Sequence, residues 1–375
     1  MEKITLYSIF HGRFPSEKAH GIFAAKGAEA FANEGAVVKL LVPNRRGVQK
    51  NAFSFYKIKE NFSVHYLFTV DLFNSFLKKF AFRVSLLFFS VGSLLFVLFD
   101  RSKNKVIYTN EIIPAFLFGA LTPYKVVYEL HDFPEQNLFF YKTAFRYIDL
   151  FIATNTWKGN QLRKEFNISE ERVFVELNAV EVSDFVLDVS KDDARKELGI
   201  STKEKVVVYT GHFYSWKGTD TLLAAAKKSP DIDFYFIGGT KEDVIRIKKE
   251  YSAEKNIHIV GYKPHSEIPL WQKAADILVL PNTAKEKISK YYTSPMKLFE
   301  YMASKRPIIA SDLPSVREIG GESELYLVES DNPQKLAEEI YKVLESGGDK
   351  VEKAFEKIQH HTWQKRAKRI LSAFI

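Results

Sequence analysis

The chain has 375 residues, 46% of them hydrophobic and 27% charged, a globular mixture long enough for two domains with sizeable cores. It contains no cysteine, which excludes a disulfide framework, a thiolate metal site and a cysteine nucleophile. With 54 Lys and Arg against 46 Asp and Glu, the formal charge is +8; this invites a phosphate, a polyanion or an anionic membrane, while the lack of an RRM, helix-turn-helix or zinc-finger signature argues against nucleic acid.

The chain starts with Met-Glu-Lys-Ile-Thr-Leu-Tyr and goes directly into a strand-like run, without a basic region, apolar stretch and cleavage site, so a cytoplasmic protein is expected. Short apolar runs rich in β-branched and aromatic residues then alternate with helical patterns. In the first half they are Ile4–Phe10, Val37–Val42, Val106–Tyr108, Val126–Leu130, Leu150–Ala153 and Val173–Glu176. In the second half they are Val206–Tyr209, Phe234–Ile237, Ile257–Val260, Ile277–Leu280, Ile308–Ala310 and Leu325–Val328. The alternation predicts parallel βαβ units, and its two series predict an α/β protein with two Rossmann-like parallel-sheet domains. Asn178–Ser190, acidic and aperiodic, reads as the linker. The expected division is 1–180, 191–354 and a helical tail 355–375 with basic residues, Trp363 and an apolar last turn.

Between these strands, Asp71–Asp100 stands apart. Val84–Phe99 carries no charge but is shorter than the roughly twenty residues a spanning helix needs, so it reads as a buried helix. Just before it, Lys78, Lys79 and Arg83 alternate with Phe73, Phe76, Leu77, Phe80 and Phe82, a mixture suited to an anionic bilayer surface.

Open parallel sheets bind ligands beyond the carboxyl ends of their strands, so the loops there are the candidates. After the first strand, Gly12 and Gly21 allow close backbone approach, and Arg13, Lys18 and His20 offer cations. After Val126–Leu130 come His131 and Asp132; an imidazole there either meets a substrate hydroxyl or is a satisfied polar residue, and the local pattern leaves both open. After Val206–Tyr209, the turn Thr210–Gly218 contains Gly211 and His212 and delivers Lys217, which can reach phosphate oxygens as a mobile point charge. Gly261-Tyr262 is either a slot for a nucleotide base or a plain turn.

The last candidate segment is Tyr291-Tyr292-Thr293-Ser294-Pro295-Met296-Lys297-Leu298-Phe299-Glu300. Proline at 295 suits the first turn of a helix, which leaves the Met296 and Lys297 amides for an anion such as a diphosphate. Glu300, a turn further on, suits a ribose diol. No Gly-x-Ser-x-Gly elbow, Walker loop or carboxylate cluster with magnesium spacing occurs, and the adjacent His360 and His361 point apart on a helix; no metal or resident cofactor is expected.

In this order, the glycine loop, His131-Asp132, Gly211…Lys217-Gly218, Gly261-Tyr262, Ser294-Pro-Met-Lys-Leu-Phe-Glu300 and Pro307-Ile-Ile-Ala-Ser-Asp312 resemble the retaining nucleotide-sugar glycosyltransferases of family 4 over nearly the whole chain. The resemblance implies the GT-B fold, with an interdomain cleft and a C-terminal helix crossing back to the first domain. It implies transfer of a sugar from a nucleoside diphosphate to a hydroxyl acceptor such as a saccharide; the basic-aromatic segment around Lys78, Lys79 and Arg83, with the +8 charge, adds the expectation of a lipid-linked saccharide at the inner face of the cell membrane. Lys217 would neutralise the diphosphate, Glu300 would bind ribose and His131 would contact the donor sugar. The backbone at Thr293, Ser294, Pro295, Met296 and Lys297, with Gly12, Gly211, His212 and Tyr262, would surround the donor, and Arg13, Lys18 and His20 would face the acceptor. Two positions depart from the family pattern: Tyr292 stands where a glutamate is usual and His212 where an arginine is usual. They raise the alternative of a silent nucleotide-sugar-binding subunit, and the same fold also admits a sugar-nucleotide epimerase or hydrolase.

Overall fold

The structure, a computed structural model, describes residues 3–45, 51–70 and 78–374, the side chains of 78–80 excepted. Two compact units result, Met1–Glu176 with Trp363–Ile375, and Leu177–Thr362.

The first unit is built on seven parallel strands: β1 (Thr5–Ile9), β2 (Val37–Pro43), β3 (Ser63–Leu67), β4 (Lys105–Thr109), β5 (Lys125–Leu130), β6 (Leu150–Ala153) and β7 (Val173–Val175). Their order is β3-β2-β1-β4-β5-β6-β7. Thr5 pairs with Val37 on one side and Lys105 on the other, so the order reverses between β1 and β4. Tyr7, Ile9, Ile107 and Val126 of the sheet share a core with Phe89, Ala115 and Phe118 from helices. Strand β3 escaped the sequence reading because it lies at the edge and is nowhere fully buried, so serine and histidine interrupt the apolar pattern.

The second unit has six parallel strands: β8 (Lys205–Thr210), β9 (Ile232–Ile237), β10 (Ile257–Gly261), β11 (Ile277–Leu280), β12 (Ile308–Ser311) and β13 (Tyr326–Val328). Their order, β10-β9-β8-β11-β12-β13, reverses between β8 and β11. Helices cover both faces, giving one core around Val206, Leu278 and Leu298 and another around Val207, Phe234 and Ile309. The α/β class with two Rossmann-like parallel sheets is therefore as expected.

Three expectations need correction. Asn178–Ser190 is not a free linker: Val180, Val182 and Phe185 are buried in the second unit's core, and the Val180 amide donates to the His361 carbonyl at 3.0 Å. Irregular backbone hid these apolar contacts from a periodicity search. The tail also divides later than expected, because Ala354 and Ile358 of the helix Val351–Ile358 pack in the second unit and the first unit takes up the chain only at Trp363. Finally, Val84–Phe99 lies in one helix, Lys78–Phe99, but only 33% of its apolar window is buried. Residues 71–77 of the basic-aromatic segment lie outside the described residues, as do the side chains of Lys78, Lys79 and Phe80.

A buried charge pair anchors the C-terminal helix, Trp363–Phe374, in the first unit. It packs on the helix Ala19–Asn33, with Trp363 edge-on to Phe23 at 5.0 Å. Arg366 Nη2 donates to Glu129 Oε1 at 2.6 Å, the Tyr108 hydroxyl donates to the other oxygen, and both charged side chains are 2% exposed or less. Burial alone would raise the Glu129 carboxyl, but Arg366 and His131 outweigh it and hold it at about 2. Arg369 adds two bonds to Glu176, at 2.8 and 2.7 Å.

Removing one partner of such a pair leaves an uncompensated charge in the core, so Arg366→Met should destabilise the first unit by about 3–5 kcal/mol. Adding Glu129→Met should restore most of it, as measured by urea unfolding of the first unit's transition. Because the folded carboxyl sits below its unfolded value, this contribution is complete above the usual carboxylate range and is lost as pH falls toward about 2. Equal loss in the single and double variants would show that packing, not charge, anchors the helix.

Candidate functional site

In the second unit the site forms at the reversal between β8 and β11. Strand β8 ends at Thr210, and the chain turns through Gly211 and a short 3₁₀ turn, Ser215–Lys217, into the helix Thr219–Lys227. Gly218 makes that turn at φ +68°, where a Cβ would lie 1.9 Å from the Pro281 carbonyl oxygen after β11. Glycine therefore lets the two loops meet, and it fixes Lys217 at the strand ends. At Gly211 a Cβ would come within 2.6 Å of Lys297 Nζ, so the missing side chain makes room for that ammonium.

Lys297 comes from the helix Met296–Ala303. Pro295 stands at the N-cap rather than inside the first turn, with φ −71°, and the amides that follow it lack intrahelical acceptors as in any first turn. The helix is aimed by Tyr301, whose hydroxyl accepts from the Thr210 amide at 2.9 Å. Lys297 Nζ donates to the Tyr209 hydroxyl at 2.8 Å, and that hydroxyl donates to the His212 carbonyl at 2.7 Å. Lys217 Nζ lies 3.7 Å from the centre of the Trp216 ring.

The electrostatics are those of a site waiting for an anion. Burial lowers Lys217 to about 7. Lys297 is pushed far below the usual lysine value by burial and by the Lys217 charge, and Glu300 only partly offsets this. Among the described residues neither ammonium has a carboxylate within ion-pair reach. Two cations brought together beside the first turn of a helix favour a multiply charged anion over either neutral form.

Glu300 sits one turn along, its Oε1 3.1 Å from His265 Nε2. Of the other expected donor-side residues, Ser294 gives its carbonyl to Asn178 Nδ2 at 2.7 Å. The Thr293 amide is already used, donating to the Ile288 carbonyl at 2.8 Å, so it is not open to phosphate. Tyr292, in the unusual position, is buried behind the π-turn Ile288–Tyr292. His212 is exposed and stacked on Tyr214 at 5.0 Å, with its ring turned to solvent rather than inward. Tyr262 is 56% exposed at the end of β10, open to a flat ligand.

Sequence reasoning missed several residues. Gly238 and Gly239 follow β9, and their amides donate to the carbonyls of Gly261 (2.8 Å) and Gly211 (3.2 Å), so they level the three loops into one ledge. The doubled glycine after an apolar run was the available signal. Asn282 is fully buried, and its side-chain oxygen and nitrogen both lack partners. Such groups call for a water or ligand, and nothing in the sequence marked it. Tyr301 and His265 act through geometry that spacing does not reveal.

In the first unit, His131 Nε2 lies 3.2 Å from Glu129 Oε1, with the His20 ring 6.1 Å away and Phe23 edge-on at 4.6 Å. His20, His131, Glu129 and Arg366 line one small cavity of about 30 Å³, room for a water. Arg13 and Lys18 are exposed outside that cavity, and Gly12 lies against the Phe10 ring. Among the described residues no group of three or more His, Asp or Glu side chains is arranged to hold a metal ion.

Residues 190–367 match the family described as Glycosyl transferases group 1. A glycosyltransferase named for teichuronic acid biosynthesis, TuaC of Bacillus subtilis, is 26% identical over 154 residues, 40% of this chain and 36% of its own. The chain spans 36% to 56% of the length of the first curated relatives it matches. Sucrose-phosphate synthase from Thermosynechococcus elongatus superposes with a TM-score of 0.80 at 18% identity, over 99% of this chain and 98% of that one. HepE of Anabaena, solved in complex with UDP-glucose, superposes with a TM-score of 0.73 at 15% identity, over 99% and 100%. The chain thus has the GT-B fold of these structures, and its residues 190–367 match the model of the glycosyl transferases group 1 family.

Proposed function

We propose that the protein transfers a sugar, with retention, from a nucleoside diphosphate sugar to the hydroxyl of a saccharide or lipid-linked saccharide in surface polysaccharide or glycolipid synthesis. The observation that carries this reading is the pairing of Lys217 with Lys297 beside the first turn of the helix Met296–Ala303, without a carboxylate between them. UDP-glucose bound by HepE, and the naming of TuaC, support the donor and acceptor classes.

In this mechanism the anomeric C–O bond to the diphosphate breaks while the acceptor oxygen bonds the same carbon on the same face. The acceptor proton passes to the leaving diphosphate. Lys217, Lys297 and the helix amides stabilise the charge that develops on that group, without need of a metal. Glu300 holds the ribose hydroxyls, with His265 fixing its carboxylate in the ligand-free state. Turnover of radiolabelled UDP- and GDP-sugars with and without saccharide acceptors is the direct test. Release of sugar to water alone at full rate would favour the hydrolase instead.

Lys217→Ala should keep the fold and lower turnover by about a hundredfold or more, the scale of losing one preorganised charge contact. A folded variant with wild-type rates would remove Lys217 from the site. Glu300→Gln should weaken donor binding with little effect at saturating donor, because an amide oxygen accepts a weaker hydrogen bond. Calorimetry showing unchanged donor affinity would overturn that assignment.

The pH dependence follows from the low pKa of Lys217. The unfolded lysine titrates at its ordinary 10.5 and the folded, empty site at about 7, so between these values the unfolded state binds more protons and the empty protein gains stability as pH rises. A bound diphosphate reverses this by restoring the proton. Affinity for UDP should therefore fall as pH rises above about 7, by up to about tenfold per unit, and the dependence should flatten in Lys217→Ala. A flat wild-type profile would contradict the buried-cation reading.

A further inference from the structure

The helix Lys78–Phe99 turns much of its apolar surface outward. Its serines face inward: Ser85, Ser90 and Ser93 are fully buried. Ser85 Oγ lies 3.0 Å from His11 Nε2 and 2.8 Å from Thr69 Oγ1. The Ser90 and Ser93 hydroxyls donate to carbonyls one turn back, those of Leu86 and Phe89. Leu86, Phe89 and Val97 share that inner side, while a second set of large apolar side chains faces outward, with Leu87, Phe88, Val91, Leu95, Leu98 and Phe99 between 42% and 83% exposed. Their spacing makes one stripe along the helix, the reverse of the polarity that water selects. Mean hydropathy over Ala81–Phe99 is 2.1, enough by composition to enter a bilayer.

The surface continues past this helix. The helix Ile112–Leu121 packs on it and carries no charge, and Leu138–Ala144 with the turn Phe145–Tyr147 packs on that in turn. Phe116 lies edge-on to Phe140 at 6.1 Å and to Tyr147 at 5.6 Å, while Phe139 is 86% exposed. These three stretches, 78–99, 112–121 and 138–147, contain no aspartate or glutamate. Their described charges are Arg83, Lys142 and Arg146, all exposed, with Arg101 and Lys103 just beyond the helix end. Of the acids at the ends of these stretches, Asp100 is paired with Lys39, Asp149 accepts from the Val126 amide, and Glu111 stands at the N-cap of Ile112–Leu121.

This combination selects the occupant. A spanning helix is ruled out because Phe89 and Val97 are locked into the core of the first unit's sheet. A second copy of the chain would bring basic residues against basic residues without a carboxylate to answer them. An anionic bilayer supplies both the apolar phase and the negative headgroups. We propose that this face docks the protein on an anionic lipid bilayer, with the helix Lys78–Phe99 lying along the surface. Its apolar stripe enters the acyl boundary, and Arg83, Lys142 and Arg146 meet the headgroups. The face belongs to the first unit and needs neither Lys217 nor Glu300, so it stands apart from the donor site.

The test is flotation with vesicles of neutral phosphatidylcholine alone or mixed with phosphatidylglycerol. Wild-type protein should float with the anionic vesicles and partly release in high salt. Leu87→Glu, Val91→Glu and Leu95→Glu together change only half-exposed side chains and should lower partitioning by at least about tenfold. Lys142→Gln with Arg146→Gln should weaken binding to anionic vesicles only. The chain has no cysteine, so Leu95→Cys carries a single polarity-sensitive fluorophore whose emission should shift to the blue on adding vesicles, whereas Lys248→Cys in the second unit should not. That labelled protein decides the matter even if the triple variant fails to fold. Wild type that stays with the soluble fraction at low salt, unchanged flotation of a folded triple variant, or an unshifted Leu95→Cys label would each overturn the proposal. So would a wild-type dimer, dissociated by the triple variant, that ignores vesicles. A UDP thermal shift run in parallel reports on the donor site, so failure of that reading shows separately from failure of this one.

Discussion

Two lysines held together without a counter-charge form the constraint around which the second unit is arranged. Burial disfavours the charged forms of both Lys217 and Lys297, and the Lys217 charge adds to this at Lys297, so the surrounding structure must hold them in place. Gly218 lets the Lys217 loop touch the chain after β11, Gly211 clears space for Lys297, and Tyr301 ties the helix of Lys297 to the end of β8. On the proposed reading, a diphosphate relieves the electrostatic tension that these contacts keep, and the relief grows as charge builds on the leaving group.

How much of this was legible in the sequence depends on what kind of signal each residue leaves. Buried parallel strands are continuous apolar runs, and β6 and β11 were read to the residue for that reason. Strand β3 was not, since an edge strand has no reason to be uniformly apolar. Lys217, Lys297 and Glu300 were legible because glycine, proline and a helical turn fix their placement locally. Tyr301 and His265 were not, because each acts on a residue distant in the chain: Tyr301 bonds Thr210, and His265 faces Glu300; Asn282 was not, because only the fold shows that its side chain is buried without a partner. Local chemistry is written in spacing, but pairing across a sheet is written only in the fold.

The same limit explains the helix Lys78–Phe99. Composition showed that Val84–Phe99 was apolar, and the ordinary inference was burial. Which side of a helix meets the core depends on what the neighbouring strands offer, and here His11 and Thr69 offer hydrogen bonds to Ser85. With the serines, Phe89 and Val97 taking the inner side, Leu87, Phe88, Val91, Leu95 and Leu98 are left on the outside. Mean hydropathy does not distinguish an apolar helix that is buried from one turned outward, because the two differ in direction and not in content.

The first unit concentrates its own tension at Glu129. That carboxylate sits in the core and is approached by Arg366, Tyr108 and His131 at once. Burial opposes its charge and the Arg366 guanidinium is the chief charge that restores it, so the C-terminal helix that brings Arg366 also sets the field at His131. The helix Trp363–Phe374 is therefore more than a tail seeking a surface: its guanidinium lets His131 sit beside a buried carboxylate without having to neutralise it alone.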